Sequence, residues 1–128
     1  MDHLHHVKAL RKDDGPCFNC AQALMMGFCD VLGISEDKAR QLGAYYGGGM
    51  IHGSVCGTVS AALMILSAAG FSQTEAARFL SDFRKRHGST QCVDLLTRSA
   101  KQGIPKKTHC DGLIFEVAEY LDALLKNR

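Results

Sequence analysis

The chain of 128 residues has no tryptophan, only two prolines and few aromatic residues, which make up 7% of the sequence. So little proline argues against a proline-rich or disordered protein. Neither sign of charge dominates, since the formal net charge is +2, and we therefore expect no binding to nucleic acid. The longest apolar run, from Ala61 to Ala69, is interrupted by Ser67 and is too short to span a membrane.

The N-terminal segment lacks the apolar core of a secretory signal, because Met1–His6 is polar and rich in histidine. We therefore expect a cytoplasmic, reducing location, in which structural disulfides are rare. Against this background the six cysteines are informative. In a reducing compartment clustered thiols indicate metal binding or redox chemistry, whereas in a secreted protein the same six would indicate a disulfide framework.

The sequence has almost no strand signal, because β-branched residues do not alternate with polar ones, while alanine, leucine, methionine and glycine are common. This pattern predicts an all-α fold, a single compact bundle of five or six helices. The predicted helical domain covers residues 15–128 and follows a polar, histidine-containing arm, loose or a short helix, over residues 1–14. The segment from Cys56 to Ala69 is apolar on nearly every face, which predicts the central helix.

Glycines followed by an apolar residue mark predicted helix ends, because a glycine in the left-handed conformation closes a helix. Three such pairs occur, Gly33-Ile34, Gly70-Phe71 and Gly103-Ile104. The first predicted helix runs from Cys17 to about Leu32. The others are a helix from Ser35 to near Tyr46, the central helix, a helix from Ser72 to Gly88, a short helix from Ser89 or Thr90, and a last helix that begins near Cys110.

Three cysteines, Cys20, Cys56 and Cys92, recur at a spacing of 36 residues. Each stands at the head of a predicted helix that ends in glycine and an apolar residue. The spacing predicts repeated helical hairpins with one cysteine at the head of each unit. The alternative is a coincidence within a small helical chain.

Four cysteines share one local setting, since Cys20, Cys56, Cys92 and Cys110 all fall in the first turn of a predicted helix. Unpaired N–H groups and the positive end of the helix dipole stabilise a thiolate there, so we expect lowered pKa values. If the repeated units present their cysteines at the same end, at least three sulfurs lie within about 10 Å of one another, close enough for a shared ligand or for disulfides. The alternative is that each is an ordinary small core residue.

The other two cysteines carry weaker signals. Cys17 and Cys20 form a C-x-x-C pair that can cycle through a disulfide, although Ala21 stands where a haem attachment site needs histidine. Cys29 falls on the opposite face of the first predicted helix, which indicates a core position. His109 is adjacent to Cys110 and is a candidate for tuning that thiol.

A glycine-rich loop precedes Cys56, and its backbone can approach a bound group closely and turn N–H groups toward it. Gly48 and Gly49 are therefore candidates for binding a cofactor or thiolates, and His52 is a candidate proton donor or further ligand. The alternative is a flexible connection between helices. The loop is not a nucleotide-binding motif, because no Gly-Lys-Ser/Thr occurs and no strand precedes it.

Taken together, these residues resemble a bacterial and archaeal family of redox-active proteins named after its C-GCAxxG-C-C signature. The resemblance covers roughly residues 15–125 and rests on Asn19 to Ala23, Gly47 to Met50, Cys56-Gly57 before Ala61 to Met64, Gly88 to Cys92 with Leu95-Leu96, and Cys110. It implies four functional cysteines at Cys20, Cys56, Cys92 and Cys110, and an iron–sulfur centre by analogy with a related domain of a multihaem cytochrome. Gly57, which follows Cys56 in the motif, is a further candidate for binding the cofactor. Two positions depart from the family pattern: Thr58 replaces an alanine and adds a hydroxyl beside the site, and Ala61 replaces a glycine.

Two classes of function follow. In the first, the four cysteines bind an iron–sulfur cluster or another metal, or cycle between thiol and disulfide, for electron transfer with a redox partner protein. In the second, the protein is a non-redox structural or binding module with zinc-bound or free core cysteines. Usual zinc sites contain two tight C-x₂₋₄-C pairs, which the gaps of 36, 36 and 18 residues do not match. A homodimer is compatible with both classes.

Overall fold

The structure of the protein is a computed structural model that describes residues 3–12 and 18–127. These residues form eight α-helices, one π-helical turn and no strand, so the predicted all-α class is confirmed. The helices are α1 (His3–Leu10), α2 (Cys20–Gly27), α3 (Cys29–Leu32), α4 (Glu36–Gly43), α5 (Gly57–Ala68), α6 (Gln73–His87), α7 (Cys92–Lys101) and α8 (Lys106–Lys126); the π-helical turn is Gly49–Gly53. The prediction of five or six helices is therefore wrong in number.

The predicted first helix is interrupted, which accounts for part of the difference. At Phe28 the backbone leaves the helical region, with φ −112° and ψ 24°, and the chain divides into α2 and α3. The Phe28 ring is fully buried, and its N–H still donates to the Leu24 carbonyl. The break thus falls at a residue whose ring lies in the core. The predicted start at Cys17 lies outside the described residues.

The N-terminal segment accounts for another helix, because residues predicted as a polar arm or short helix form α1. This helix packs against α2 and α8, with Val7 fully buried and the side chain of His3 nearly so. Each ring nitrogen of His3 lies against a carboxylate, Nδ1 at 2.6 Å from Asp122 and Nε2 at 3.0 Å from Asp30. The division of the domain at residue 15 stays a prediction.

The centre of the bundle is formed by α2 and α5, which pack against each other. Seven of the 12 residues of α5 are buried, which agrees with the central position predicted for this segment. Six of the eight residues of α2 are buried as well, so the two helices share the centre. Because α2 begins at Cys20 and α5 begins directly after Cys56, the contact between these helices also brings two sulfurs together.

All three predicted glycine stops are confirmed. Gly33, Gly70 and Gly103 have φ values of +72°, +86° and +74°. In each case the N–H of the next residue donates to a carbonyl five residues back: Ile34 to Cys29 at 3.2 Å, Phe71 to Leu66 at 3.0 Å and Ile104 to Ser99 at 3.1 Å. The units between these stops differ, since the first contains the break at Phe28. The predicted repeat of helical hairpins is therefore matched in its stops and not in its helices.

No helix within the described ranges combines the length and the apolar character that crossing a bilayer requires.

Candidate functional site

The four cysteines of the predicted set line one cavity. This cavity is narrow, with about 30 Å³ of space that solvent can occupy, room for little more than one water molecule. Its lining includes Cys20, Cys56, Cys92 and Cys110, together with Gly48, Thr58, Leu95, Leu96, Lys106, His109 and Leu113. All four cysteines are free thiols. The structure thus brings together the residues that the spacing and the resemblance selected.

Cys20 is placed by a capped helix start. The Asn19 side chain accepts from the Gln22 N–H, and the Gln22 side chain accepts from the Asn19 N–H, so that α2 begins at Cys20. The Asn19 amide also donates to the carbonyls of Gly43 and Ala44, at 3.2 and 3.1 Å. One side chain therefore fixes both the first residue of α2 and the end of α4.

Cys56 and Cys92 are placed by a short antiparallel contact that the sequence analysis missed. Val55 and Gln91 form an isolated β-bridge. The Cys56 N–H donates to the Thr90 carbonyl at 2.8 Å, and the Cys92 N–H donates to the Ser54 carbonyl at 2.7 Å. These bonds hold the starts of α5 and α7 side by side, so the two cysteines face the same space.

Cys110 is not in the first turn of its helix, and the predicted start of the last helix is wrong. α8 begins four residues earlier, at Lys106 directly after Pro105. Proline lacks an N–H and has a fixed φ, so it suits the position just before a helix and would interrupt a helix that contained it. Cys110 therefore lies one turn inside α8, where its own N–H is not one of the unpaired groups of the helix start.

Cys20 and Cys56 form a hydrogen-bonded pair of thiols with opposite pKa shifts. A hydrogen bond from the Cys56 side chain lowers the pKa of Cys20, and further bonds from Thr58 and from the N–H groups of Gly48 and Ala21 add to this effect against the penalty of burial. The pKa of Cys56 is raised because it donates to Cys20, is buried, and faces the Cys20 charge. Cys20 is therefore the thiolate and Cys56 its protonated partner.

The other two thiols of the cavity hold their protons more tightly. Burial raises the pKa of Cys92 and of Cys110, and the negative charge of Cys20 raises both further. Lys106 opposes these effects at both thiols without cancelling them. The expectation of four lowered pKa values thus holds for Cys20 alone. One thiolate uses the available donors, and its charge then disfavours a second thiolate nearby.

The glycine loop lies against this group of sulfurs. The Gly48 N–H donates a hydrogen bond to the Cys20 sulfur. Gly49 has a φ of +65°, and a Cβ at this position would lie 2.5 Å from the Ser54 backbone and 2.8 Å from the Cys92 Cβ. Met50 and Ile51 also adopt positive φ values, +60° and +75°. Such conformations are costly for side chains with a Cβ and are concentrated at functional sites.

His52 belongs to the same loop but is exposed and does not line the cavity. The structure therefore does not bring it to the cysteines. His109 does line the cavity, and its pKa is lowered by burial and by the charge of His87. Cys29 packs at the edge of the core, away from the cavity, and its pKa is raised by burial and by Glu36 and Asp30. Cys17 lies outside the described residues.

Gly57 permits the close approach of Cys20 and the start of α5. A Cβ on Gly57 would lie 2.6 Å from the Cys20 sulfur and 2.6 Å from the Tyr46 carbonyl oxygen. The backbone oxygen cannot move away as a flexible side chain would. Gly57 therefore acts on the site through packing, and its predicted role beside a cofactor stays a prediction.

Thr58, which replaces the alanine of the family pattern, places its hydroxyl in the cavity. Its Oγ1 is buried and has no well-formed hydrogen bond within the described part of the chain, although it lies close enough to Cys20 and Cys56 to affect both thiols. A thiolate is the strongest acceptor in reach, so the hydroxyl is satisfied when it turns toward the Cys20 sulfur.

Replacement of Thr58 by alanine is expected to raise the pKa of Cys20, because one donor to the thiolate is lost. The same change removes a poorly bonded hydroxyl, so the free energy of unfolding is expected to change by no more than about 1 kcal/mol. Ultraviolet thiolate absorbance followed against pH measures the first effect. Thr97→Ala, at an exposed position of α7, is the control, and an equal shift in both variants would contradict the role of Thr58.

The cavity does not contain a ready set of metal ligands. Among the residues described, no three Cys, His, Asp or Glu side chains are close enough together to hold one metal ion. Two of the four thiols, Cys20 and Cys56, instead share a hydrogen bond. As arranged, the cysteines fit a reactive pair of thiols better than the ligand set of a metal ion or a cluster.

Lys106 and Arg11 act on the cavity and were not identified from the sequence. Lys106 lines it, and Arg11 lies near enough to lower the pKa of Cys110 in part. For Lys106 a signal was available, since it stands one helical turn before Cys110. For Arg11 no local signal exists, because α1 and α8 meet only in the folded chain.

Comparisons with known proteins give one match. Searches of curated proteins and of solved structures found no match. A family model described as "Putative redox-active protein (C_GCAxxG_C_C)" matches residues 18–124. That range includes all four cysteines of the cavity, the glycine loop and Thr58, and it covers most of the chain. The chain therefore belongs to this C-GCAxxG-C-C family.

Proposed function

We propose that the protein exchanges thiols and disulfides, with Cys20 as the attacking thiolate and Cys56 as the resolving thiol. The hydrogen-bonded pair carries the proposal, because the pKa of Cys20 is lowered by its partner while that of Cys56 is raised. A reactive cysteine needs thiolate character and access. Cys20 has both, since it is partly exposed, whereas Cys56 is only 5% exposed.

The reaction has two steps. The Cys20 thiolate attacks one sulfur of a disulfide R–S–S–R, which forms a mixed disulfide and releases R–S⁻. Cys56 then gives its proton to the released R–S⁻ and attacks the Cys20 sulfur, which forms the Cys20–Cys56 disulfide and releases the second R–S⁻, which takes a proton from water. The protein dithiol is oxidised by two electrons and R–S–S–R is reduced to two thiols. The adjacent sulfurs of the resting pair favour the second step, because little movement is needed.

Cys92 and Cys110 do not compete as nucleophiles at neutral pH, because burial and the charge of Cys20 raise their pKa values. Their presence beside the pair adds reducing capacity in the same cavity. We place the protein in a reducing cytoplasm with a redox partner protein as its electron donor or acceptor.

Cys56→Ser is expected to trap the mixed disulfide on Cys20, because the resolving thiol is missing. Wild-type protein treated with a small disulfide is expected to lose two thiols and to yield a peptide in which Cys20 and Cys56 are linked. Mass spectrometry of digested protein under non-reducing conditions measures both results. Cys29→Ser, outside the cavity, is the control and is expected to behave as the wild type. A trapped adduct on Cys92 or Cys110 would contradict the assignment.

A second candidate is an iron–sulfur or other metal centre held by Cys20, Cys56, Cys92 and Cys110. It is favoured by the fact that all four line one cavity, and it would require the Cys20–Cys56 hydrogen bond to open. Anaerobic reconstitution with iron and sulfide, read by visible absorption in wild type and in Cys56→Ser, separates the candidates. Stable absorption that depends on Cys56 would favour the centre. No absorption and no disulfide would leave a structural module with free or zinc-bound cysteines.

A further inference from the structure

A basic groove opens directly beside the cysteine pair, and we propose that it binds small disulfides that carry carboxylate groups. The inference deepens the proposed function and rests on it, because it names the class of substrate that Cys20 attacks. It concerns residues that thiol chemistry itself does not require, Arg11, Lys106 and Lys107.

The groove and the cysteine cavity are continuous. Both are lined by Cys20, Gly48, Lys106 and Cys110, and the groove extends from there past Phe18 and Arg11. It has about 320 Å³ of space that solvent can occupy. Pockets for small molecules occupy about 300–1,000 Å³. A disulfide of small-molecule size can therefore lie in the groove with one sulfur facing Cys20.

The charge of the groove is positive. Arg11, Lys106 and Lys107 line it, and no carboxylate does so among the described residues. Hydrogen bonds hold two of the cations in place. The Arg11 side chain donates to Asp111 and to the Phe18 carbonyl, both at 2.6 Å. The Lys107 side chain donates to Asp111 and to the Arg11 carbonyl, both at 2.8 Å. Asp111 is the carboxylate that both of these cations contact, and Lys106 adds a further positive charge beside them.

Lys106 is the cation that connects the groove with the chemistry. It is exposed at the first residue of α8 and also lines the cysteine cavity. Its charge acts on the thiols of Cys92 and Cys110, so it stands close to the sulfurs. A carboxylate bound by Lys106 would hold the attached disulfide near the Cys20 thiolate, and the charge of Lys106 would offset the repulsion between that thiolate and an anionic substrate.

Phe18 adds an apolar surface to the groove. Ligand sites combine apolar walls with a few fixed charged groups that orient the ligand. Phe18 and Arg11 line the groove and not the cysteine cavity, whereas Cys56 lines the cavity and not the groove. The substrate thus approaches Cys20 from the groove, while Cys56 approaches the same sulfur from within the protein.

The test compares two coloured disulfides of similar size: dithiobis(nitrobenzoate), which carries two carboxylates, and dithiodipyridine, which is uncharged at neutral pH. Cys56→Ser protein is the background, so that reaction stops at the mixed disulfide. The rate constants are measured by stopped-flow absorbance at low and at high salt. Lys106→Glu is the main variant, since an acidic residue suits the first turn of a helix and should not disturb folding. Lys101→Glu, exposed on α7 and outside the groove, changes the net charge equally.

Lys106→Glu is expected to slow the reaction with the dianionic disulfide about tenfold at low salt, through the loss of electrostatic attraction. The reaction with the uncharged disulfide is expected to slow by less than about threefold, and high salt should reduce the difference between the two disulfides. Lys101→Glu is expected to leave the ratio of the two rate constants within about twofold. Lys106→Gln, expected to fall between wild type and Lys106→Glu, shows that charge and not a folding defect is responsible.

An unchanged ratio in Lys106→Glu, with the adduct still on Cys20, would overturn the groove as a substrate site and leave thiol–disulfide exchange intact. An equal fall for both disulfides would also overturn it, because the effect would then lie in the thiolate. A first adduct on Cys92 or Cys110 in place of Cys20 would instead contradict the proposed function. A ratio that does not respond to salt in the wild type would favour recognition of a partner protein over small anionic disulfides.

Discussion

Replacement of Gly57 by alanine is expected to lower the free energy of unfolding by about 2 kcal/mol, as overpacking of a tight contact does. It is also expected to slow the modification of Cys20. The new Cβ would lie 2.6 Å from both the Cys20 sulfur and the Tyr46 carbonyl oxygen. Since the carbonyl belongs to the backbone, α5 or the Cys20 side chain must move. Either movement lengthens the hydrogen bond from Cys56 that lowers the pKa of Cys20.

Two measurements test this expectation: urea-induced unfolding for stability, and the pH dependence of alkylation for the Cys20 thiolate. The pKa of Cys20 is expected to rise toward its ordinary value, so the rate at neutral pH falls. Gly112→Ala is a matched control, because a Cβ on Gly112 in α8 meets nothing within 4 Å. There alanine is expected to raise stability by about 0.5–1 kcal/mol through helix propensity. If Cys20 in the Gly57→Ala variant is alkylated with the pH dependence of the wild type, the close approach at Gly57 is not needed for the thiolate.

Local signals predicted the parts of the site that depend on short stretches of chain. The pairs Gly33-Ile34, Gly70-Phe71 and Gly103-Ile104 each close a helix by hydrogen bonds within six residues, and a pattern of two residues is enough to specify them. Local signals of the same kind placed Cys20, Cys56 and Cys92 at the starts of helices. The three cysteines meet in one cavity because these helix starts are held next to one another in the folded chain.

The chemistry of each thiol could not be predicted in this way. All four cysteines were expected to be acidic because of their helix starts, but the lowered pKa of Cys20 arises first from Cys56, which is distant in sequence and adjacent only because α2 packs on α5. Tertiary packing therefore decides which of four similar cysteines is the thiolate.

The largest loss of stability outside the site is expected for His3→Ala. The His3 ring is nearly buried, stacks on Phe28 with ring centroids 4.3 Å apart, and contacts Asp122 at 2.6 Å and Asp30 at 3.0 Å. Loss of the ring leaves a gap on the core and two carboxylates without their partner. We expect the free energy of unfolding to decrease by about 3 kcal/mol. This value is at the lower end for a broken buried ion pair, because both carboxylates are partly exposed.

The same contacts give stability a dependence on pH. Burial alone would raise the pKa of Asp30, but the hydrogen bond and charge of His3 outweigh it and lower that pKa below its ordinary value of 3.8. A lowered carboxyl pKa contributes stability that is fully present above the ordinary value and is lost as the pH falls through the lowered one. Asp30→Asn is therefore expected to be less stable than wild type at neutral pH and to lose less stability on acidification.

Thermal unfolding of wild type, His3→Ala, Asp30→Asn and His6→Ala over a range of acidic and neutral pH measures these effects. His6→Ala is the matched control, because His6 lies on the same helix but its contact with Glu36 is 3.5 Å long and partly exposed. This replacement is expected to lower the free energy of unfolding by less than about 0.5 kcal/mol. Equal losses in His3→Ala and His6→Ala would show that α1 contributes little through His3. If the difference is as large as expected, α1 is part of the folded domain and the boundary predicted at residue 15 is wrong. Since Arg11, at the end of α1, also lines the groove beside Cys20, loosening α1 is then expected to weaken the preference for anionic disulfides as well.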